Sequence, residues 1–250
     1  MRIAAIIPAR YQSSRFPGKP LAPILGKPMI QYVYERSSAA SLIDEIWVAT
    51  DDQRIYERVR SFGGQVMLTS PDHESGTERV AEAAQRIDAD VVINVQGDEP
   101  LIRPEAIDLL ARAMAEDQQA PMATLKRKIQ REPDADNPNC VKVVTDRQGF
   151  ALYFSRSPIP CIRDRYAPHD TQAAFFTYQH VGIYAYRKDF LLQIPLLPPS
   201  ILEQAEKLEQ LRVLESGYRI KVIETDYESY GVDMPEDISR IEELLCRGSL

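Results

Sequence analysis

Cysteine is scarce in this sequence: three residues in 250, at Cys140, Cys161 and Cys246. They are odd in number, far apart and form no CxxC pair, which argues against a disulfide framework and fits a reducing compartment. Long apolar runs are missing as well, so no segment approaches the length of a membrane-spanning helix. The first residues lack the charged start, apolar stretch and cleavage site of a secretion signal, and the expected location is the cytoplasm. Positive charge is in deficit, with 30 Lys and Arg against 37 Asp and Glu and a net charge of −7. That balance argues against a nucleic-acid binder. Two phosphate-binding signatures are also absent. Gly18-Lys19-Pro20 and Gly26-Lys27-Pro28 put proline where a P-loop needs a hydroxyl, and no Gly-x-Gly-x-x-Gly occurs.

Apolar residues make up 44% of the chain, enough for a real core. The length suits one large α/β domain over residues 1–250. Ile3 to Ile7 reads as a buried strand, and Glu45 to Thr50, Gln65 to Thr69 and Asp90 to Gln96 repeat the pattern. Helices are expected between them: after Pro28, after an Asp51 or Asp52 cap, from Gly76 to Ile87 behind Ser75, and from Pro104 to Glu116. This alternation predicts a mostly parallel central sheet flanked by helices. The rhythm changes over about 120–190. There Asp146-Arg147-Gln148-Gly149 joins two short strands as a hairpin, and the segment reads as an antiparallel insertion. Ser200 and Glu203 form a capping box that opens a long helix to about Ser216. A final helix, Glu236 to Leu245, follows Val232-Asp233-Met234-Pro235.

The chemistry-bearing stretch is Pro8 to Leu21, which places Arg10, Arg15 and Lys19 among turns directly after a buried strand. Cations and free backbone amides at that position suit a phosphate group; a solvated basic loop is the plain alternative. Gln96-Gly97-Asp98-Glu99-Pro100 closes the most apolar strand. Asp98 there would share a crevice with Arg10 and Lys19, and a carboxylate beside phosphates calls for a cation such as Mg²⁺ between them; a turn aspartate is the alternative. Asp233, read alone, is a helix N-cap. His180, Gly182, Tyr184 and Tyr186 alternate onto one strand face that could floor a polyhydroxylated substrate or simply be half buried. Arg79, Arg156 and Arg163 are single arginines able to grip a carboxylate.

Taken together, these segments resemble sugar nucleotidyltransferases, and in full the 3-deoxy-manno-octulosonate (KDO) cytidylyltransferase family. The match runs through Pro8-Ala9-Arg10, Ser13-Ser14-Arg15-Phe16-Pro17-Gly18-Lys19-Pro20-Leu21, Thr50-Asp51-Asp52, Ser75-Gly76-Thr77-Glu78-Arg79 and Val95-Gln96-Gly97-Asp98-Glu99-Pro100. It continues through Phe154-Ser155-Arg156, His180 to Tyr186, Leu208 to Arg212 and Val232 to Asp237. The resemblance implies a Rossmann-like nucleotidyltransferase fold whose insertion over 120–190 serves dimerisation in a homodimer. It implies CMP transfer from CTP to the anomeric hydroxyl of KDO, with release of pyrophosphate, in lipopolysaccharide biosynthesis. By the family pattern, Pro8, Ala9, Arg10, Lys19, Ser75, Gly76, Thr77 and Arg79 hold CTP. Arg10, Lys19, Asp98 and Asp233 are catalytic, and Asp98 and Asp233 hold Mg²⁺, two ions in all. Gln96, Arg156, His180, Tyr184, Glu209 and Gln210 line the sugar pocket. Met234 departs from the small polar residue expected beside Asp233. Alternatives are a cytidylyltransferase for an 8-amino analogue or a sialic-acid-like nonulosonate, and a non-catalytic nucleotide-binding module. A glycosyltransferase would need an Asp-x-Asp motif, which Asp98-Glu99 does not supply.

Overall fold

Ile3–Ala9 forms strand β1, whose side chains are buried on both faces as a central parallel strand requires. The computed structural model describes residues 1–13, 15–130, 132–161 and 177–248. In chain order its elements continue with the short strands β2 (Pro23–Ile24) and β3 (Lys27–Pro28), helix α1 (Met29–Ser38), β4 (Glu45–Thr50), α2 (Gln53–Ser61) and β5 (Val66–Leu68). Then come α3 (Gly76–Gln85), β6 (Val91–Asn94), α4 (Pro104–Glu116), β7 (Met122–Lys128), α5 (Glu132–Asp136), β8 (Lys142–Thr145), β9 (Ala151–Ser155) and β10 (Tyr178–Arg187). The last elements are α6 (Lys188–Leu191), α7 (Ile201–Glu206), α8 (Gln210–Glu215), β11 (Ile220–Glu224) and α9 (Asp237–Arg247).

The chain divides into two units. The first comprises Met1–Gln118, Ile183–Leu196 and Ser229–Leu250. Its sheet runs β6-β1-β4-β5, all parallel, with the Ile183–Arg187 half of β10 antiparallel along β6. The helix starts follow the expected chemistry. Asp52 caps α2 by accepting from the Arg54 amide, and Ser75 caps α3 by accepting from Glu78. Gly63, at φ 83°, takes the left-handed conformation that turns the chain out of α2.

The second unit comprises Gln119–Gly182 and Leu197–Glu228, so it adds 197–228 to the 120–190 segment and leaves 183–190 to the first unit. Its β8–β9 hairpin is antiparallel and turns where expected: Gly149 has φ 80°, and the Asp146 carboxylate accepts from the Gln148 and Phe150 amides. β7, however, pairs with β11 in parallel, from Met122 opposite Ile220 to Lys126 opposite Glu224. Sequence rhythm missed this because β11 lies about a hundred residues downstream, and periodicity reports only local neighbours. The expected long helix after Ser200 is two helices. Its capping box forms, but Lys207 turns left-handed at φ 54°. The break lets Arg212 reach back to Glu203 in a bidentate pair at 2.7 and 2.8 Å. In an unbroken helix nine residues would separate them by about 13.5 Å.

Candidate functional site

β1 delivers Pro8 and Ala9 to the carboxyl edge of the first unit's sheet, with exposed Arg10 just beyond it. The chain then doubles back. The Gly18 amide donates to the Tyr11 carbonyl at 2.8 Å, and Gly18 sits at φ 75°. A β-carbon there would stand 3.1 Å from the Tyr11 ring, so conformation and space both favour glycine. Lys19 opens a single 3-10 turn, Lys19–Leu21. Its ammonium donates to Asp98 Oδ2 at 2.6 Å and to the Val232 carbonyl at 2.8 Å.

Asp98 reaches the loop because Gly97 lets the strand exit pass close beneath β1. A β-carbon on Gly97 would lie 2.6 Å from the Pro8 carbonyl oxygen, a backbone atom that cannot rotate away. The Asp98 carbonyl in turn accepts from the Val232 amide at 2.9 Å, which ties the Asp98 and Asp233 segments side by side. Asp233 is not the cap of α9. Asp237, the first residue of α9, turns its carboxylate back to accept from both the Asp233 and Met234 amides at 2.8 Å, and no side chain caps the helix. The Asp233 carboxylate is thereby left to face the site, where Arg15 meets it at 3.2 Å. A buried cluster of Ala22, Ile24, Met29, Leu101, Val232 and Ile241, with Phe16 packed on it, braces all three segments from behind. It converts distant stretches of sequence into one fixed wall.

The opposite wall is the start of α3. Glu78 serves this turn twice, giving its amide to Ser75 Oγ at 3.2 Å and taking the Glu74 amide at 2.9 Å. Gly76 lies against the Pro8 ring, while Thr77 is buried in the first turn. Arg79 is 3% exposed and heavily engaged: its guanidinium meets Thr69 Oγ1 at 2.5 Å, the Ser70 carbonyl at 3.2 Å and Asp51 Oδ2 at 3.0 Å. Three residues on, Glu82 accepts from the Ser70 amide at 2.8 Å and pairs with His73 Nε2 at 2.6 Å. Burial alone would raise the Glu82 pKa, but the Ser70 amide, His73 and Arg86 outweigh it and hold it below the ordinary value.

Between these walls lies a cavity of about 280 Å³, contained in the first unit. It brings together Pro8, Ala9, Arg10, Lys19, Ser75, Gly76, Arg79, Gln96, Asp98 and Asp233 from the residues expected by sequence. Ser13, Arg15, His73 and Glu74 join them. Arg15 was visible in the loop, but its partner 218 residues away was not; His73 could have been flagged by its place two residues before the Ser75 cap. Four side-chain cations (Arg10, Arg15, Lys19, Arg79) face three carboxylates (Glu74, Asp98, Asp233) across this space. Such a mixture suits an anionic ligand that arrives with a divalent metal. Asp98 and Asp233 are hard oxygen donors on the same cavity, which is the number of carboxylates Mg²⁺ takes when phosphates complete its shell. The residues present therefore fit Mg²⁺. Among the described residues, no group of three or more acidic, imidazole or thiol side chains gathers for a metal.

The remaining sugar-pocket candidates fall in different places. Tyr184 belongs to the first unit, directly opposite Asn94, two residues before Gln96. In the second unit, Arg156 donates from Nε to the Glu206 carbonyl at 2.7 Å, and its own amide donates to the Glu206 carboxylate at 2.9 Å. That contact brings it to the α7–α8 turn, which leads into Glu209 and buried Gln210. His180 lies in the interior, edge-on to Phe154 with ring centroids 4.9 Å apart. The Thr124 hydroxyl lies 3.2 Å from the Val181 carbonyl and shares a hydrogen bond with His180 Nε2 at 2.9 Å. Burial pulls the His180 pKa down to about 3, so the ring is neutral. Arg163 and the Asp164-to-Gln172 loop lie outside the described residues.

Comparisons with known proteins agree with this geometry. The family model for cytidylyltransferase matches residues 4–223. The 3-deoxy-manno-octulosonate cytidylyltransferase of Geotalea uraniireducens (strain Rf4) is 57% identical over 249 residues, covering 98% of this chain and 99% of its own. The protein of the same name from Geobacter sulfurreducens (strain ATCC 51573 / DSM 12127 / PCA) is 55% identical over 251 residues, covering 98% and 100%. A solved structure of CMP:2-keto-3-deoxy-manno-octonic acid synthetase complexed with CTP superposes with a TM-score of 0.93 at 45% identity, covering 99% of this chain and 100% of that one. A 4-diphosphocytidyl-2C-methyl-D-erythritol synthase from Anaerococcus prevotii DSM 20548, at 16% identity and a TM-score of 0.65, shares the fold. The chain belongs to the cytidylyltransferase family, among the 3-deoxy-manno-octulosonate cytidylyltransferases.

Proposed function

We propose that the chain transfers CMP from CTP to the anomeric hydroxyl of KDO, giving CMP-KDO and pyrophosphate, a step of lipopolysaccharide biosynthesis. The observation that carries this reading is the convergence of Arg10, Lys19, Asp98 and Asp233 on one cavity beside the start of α3. The relatives' shared name supplies the sugar and the nucleotide.

In the reaction, the anomeric oxygen of the sugar attacks the α-phosphorus. The bond from that phosphorus to the bridging oxygen breaks, and pyrophosphate departs in line. Little covalent help is needed, so positioning and charge neutralisation carry the rate. Arg10 and Lys19 neutralise the phosphates as they separate. The amides at the start of α3, with Ser75 and Gly76, favour negative charge at the same wall. Arg79, braced by Asp51 and Thr69, holds the approach to α3 in place. Within the first unit, Gln96 and Tyr184 are assigned to the sugar; Arg156, His180, Glu209 and Gln210 keep that assignment from the family resemblance alone. Asp98 and Asp233 would hold Mg²⁺, which when bound lowers the pKa of the attacking hydroxyl and steadies the leaving pyrophosphate. We assign the working enzyme to the cytoplasm, where CTP is made, and to a homodimer. No helix among the described residues is long and apolar enough to cross a membrane.

The test is a Mg²⁺-dependent pyrophosphate-release assay across the four nucleoside triphosphates and a panel containing KDO, its 8-amino analogue and a nonulosonate. Turnover confined to CTP with KDO is expected. No turnover of KDO with CTP would sink the proposal.

A further inference from the structure

We propose that Lys19 and Arg15 are the counter-ions of Asp98 and Asp233 while no nucleotide is bound, and that they exchange onto the phosphates when nucleotide and Mg²⁺ arrive together. This rests on the reading of Asp98 and Asp233 as metal carboxylates. Each carboxylate already has a cation of the loop upon it: Lys19 Nζ at 2.6 Å from Asp98, and Arg15 Nη2 at 3.2 Å from Asp233. Lys19 also donates to the carbonyl of Val232, the residue before Asp233, so its ammonium spans both carboxylate-bearing segments. All four side chains line the same cavity. An ammonium at that spot does the electrostatic work a divalent ion would do, holding two acidic segments together.

A metal ion arriving alone must displace a resident cation and then sit beside it, with like charges close together in a partly desolvated place. A nucleoside triphosphate removes that conflict, because its phosphates accept the released guanidinium and ammonium. Metal and nucleotide affinities are then coupled, and by linkage each raises the other by the same factor. The loop therefore gates the order of events: a bare divalent ion binds weakly, and the nucleotide brings its metal with it.

The experiment is a Mn²⁺ titration of the full chain without nucleotide, read by the loss of the free-ion electron paramagnetic resonance signal. Lys19→Met and Arg15→Gln should each tighten Mn²⁺ binding by about tenfold. Adding Asp98→Asn to the first, and Asp233→Asn to the second, should cancel the gain. Unchanged Mn²⁺ affinity in both single variants overturns the proposal, as does a gain that survives loss of the carboxylate. Should Lys19→Met fail to fold by circular dichroism, Arg15→Gln decides alone, since the Arg15 side chain is 64% exposed. A further arm adds CTP to the unaltered chain and to Asp98→Asn. Loss of Mn²⁺ retention in Asp98→Asn supports the metal assignment itself. Equal retention defeats that assignment, and the exchange with it, whatever the counter-ion variants do.

Discussion

Replacing Gly97 by alanine adds one methyl group at the tightest point of the site. The added carbon would stand 2.6 Å from the Pro8 carbonyl oxygen and 3.6 Å from Ile7 Cγ2. A comfortable carbon-to-oxygen contact is about 3.3 Å, so the exit of β6 must move about 0.7 Å from β1. Both partners are backbone of a buried parallel pair, in which Asn94 sits opposite Ile6 three residues earlier, and neither can rotate aside. Overpacking of this kind costs about 1–3 kcal/mol. For a chain of this size that is about 4–8 °C in melting temperature, taking roughly 2 kcal/mol. The catalytic cost is larger, because Asp98 is the next residue and moves with the strand. A shift near 1 Å in a reacting constellation can cost about a hundredfold, so pyrophosphate release should fall tens- to a hundredfold. Gly76→Ala is the control. Its β-carbon would meet the Pro8 ring at 3.5 Å, an ordinary contact, and the melting temperature should not drop. Thermal melts by circular dichroism and a coupled pyrophosphate assay measure both effects. Gly97→Ala with unchanged melting and rate, or an equal melting loss in Gly76→Ala, refutes the reasoning.

His180 predicts a pH effect in the second unit. Its folded pKa of about 3 lies below the ordinary 6.5, so the unfolded chain binds a proton that the folded chain refuses. Stability should fall as pH drops from about 6.5 toward 3, by about 1.4 kcal/mol at pH 5.5. His180→Gln should flatten that part of the profile in urea titrations, and an unaltered slope would count against a neutral buried ring. Asp237→Ala removes the acceptor of two amides and should cost about 1 kcal/mol in denaturant melts; it should also slow pyrophosphate release several-fold by loosening the turn that carries Asp233, and Asp237→Asn should recover most of both. Arg79→Lys cannot reproduce three guanidinium contacts at 3% exposure and should destabilise by about 2–4 kcal/mol. A melt within 1 °C of the unaltered chain would show that those contacts do little.

The sequence carried the site further than it carried the second unit. Strand ends, helix caps and turn glycines are local chemistry, so β1, the Ser75 cap and the Asp146–Gly149 hairpin were all legible. The Asp98 position was legible for the same reason, since it closes an unbroken apolar strand. Asp233 was readable as an N-cap because an aspartate before a helix usually is one. Only packing reveals that Asp237, four residues later, takes both amides and frees it. The split of the Ser200 helix shows in the Lys207 turn and the Arg212–Glu203 pair that it permits, and the β7–β11 pairing depends on a strand far downstream. His180 alternates with tyrosines as a surface-facing residue would. Its burial against Phe154 and Thr124 is a tertiary fact that period-two reading cannot separate from exposure.

The first unit draws its last segment, Ser229–Leu250, from beyond the whole of the second. During synthesis the loop that carries Arg15 emerges 218 residues before its partner Asp233. A chain that stops before Asp233 displays Arg10, Arg15 and Lys19 with Glu74 and Asp98 to balance them. Such a fragment keeps the cationic side of the cavity and lacks the carboxylate that meets Arg15.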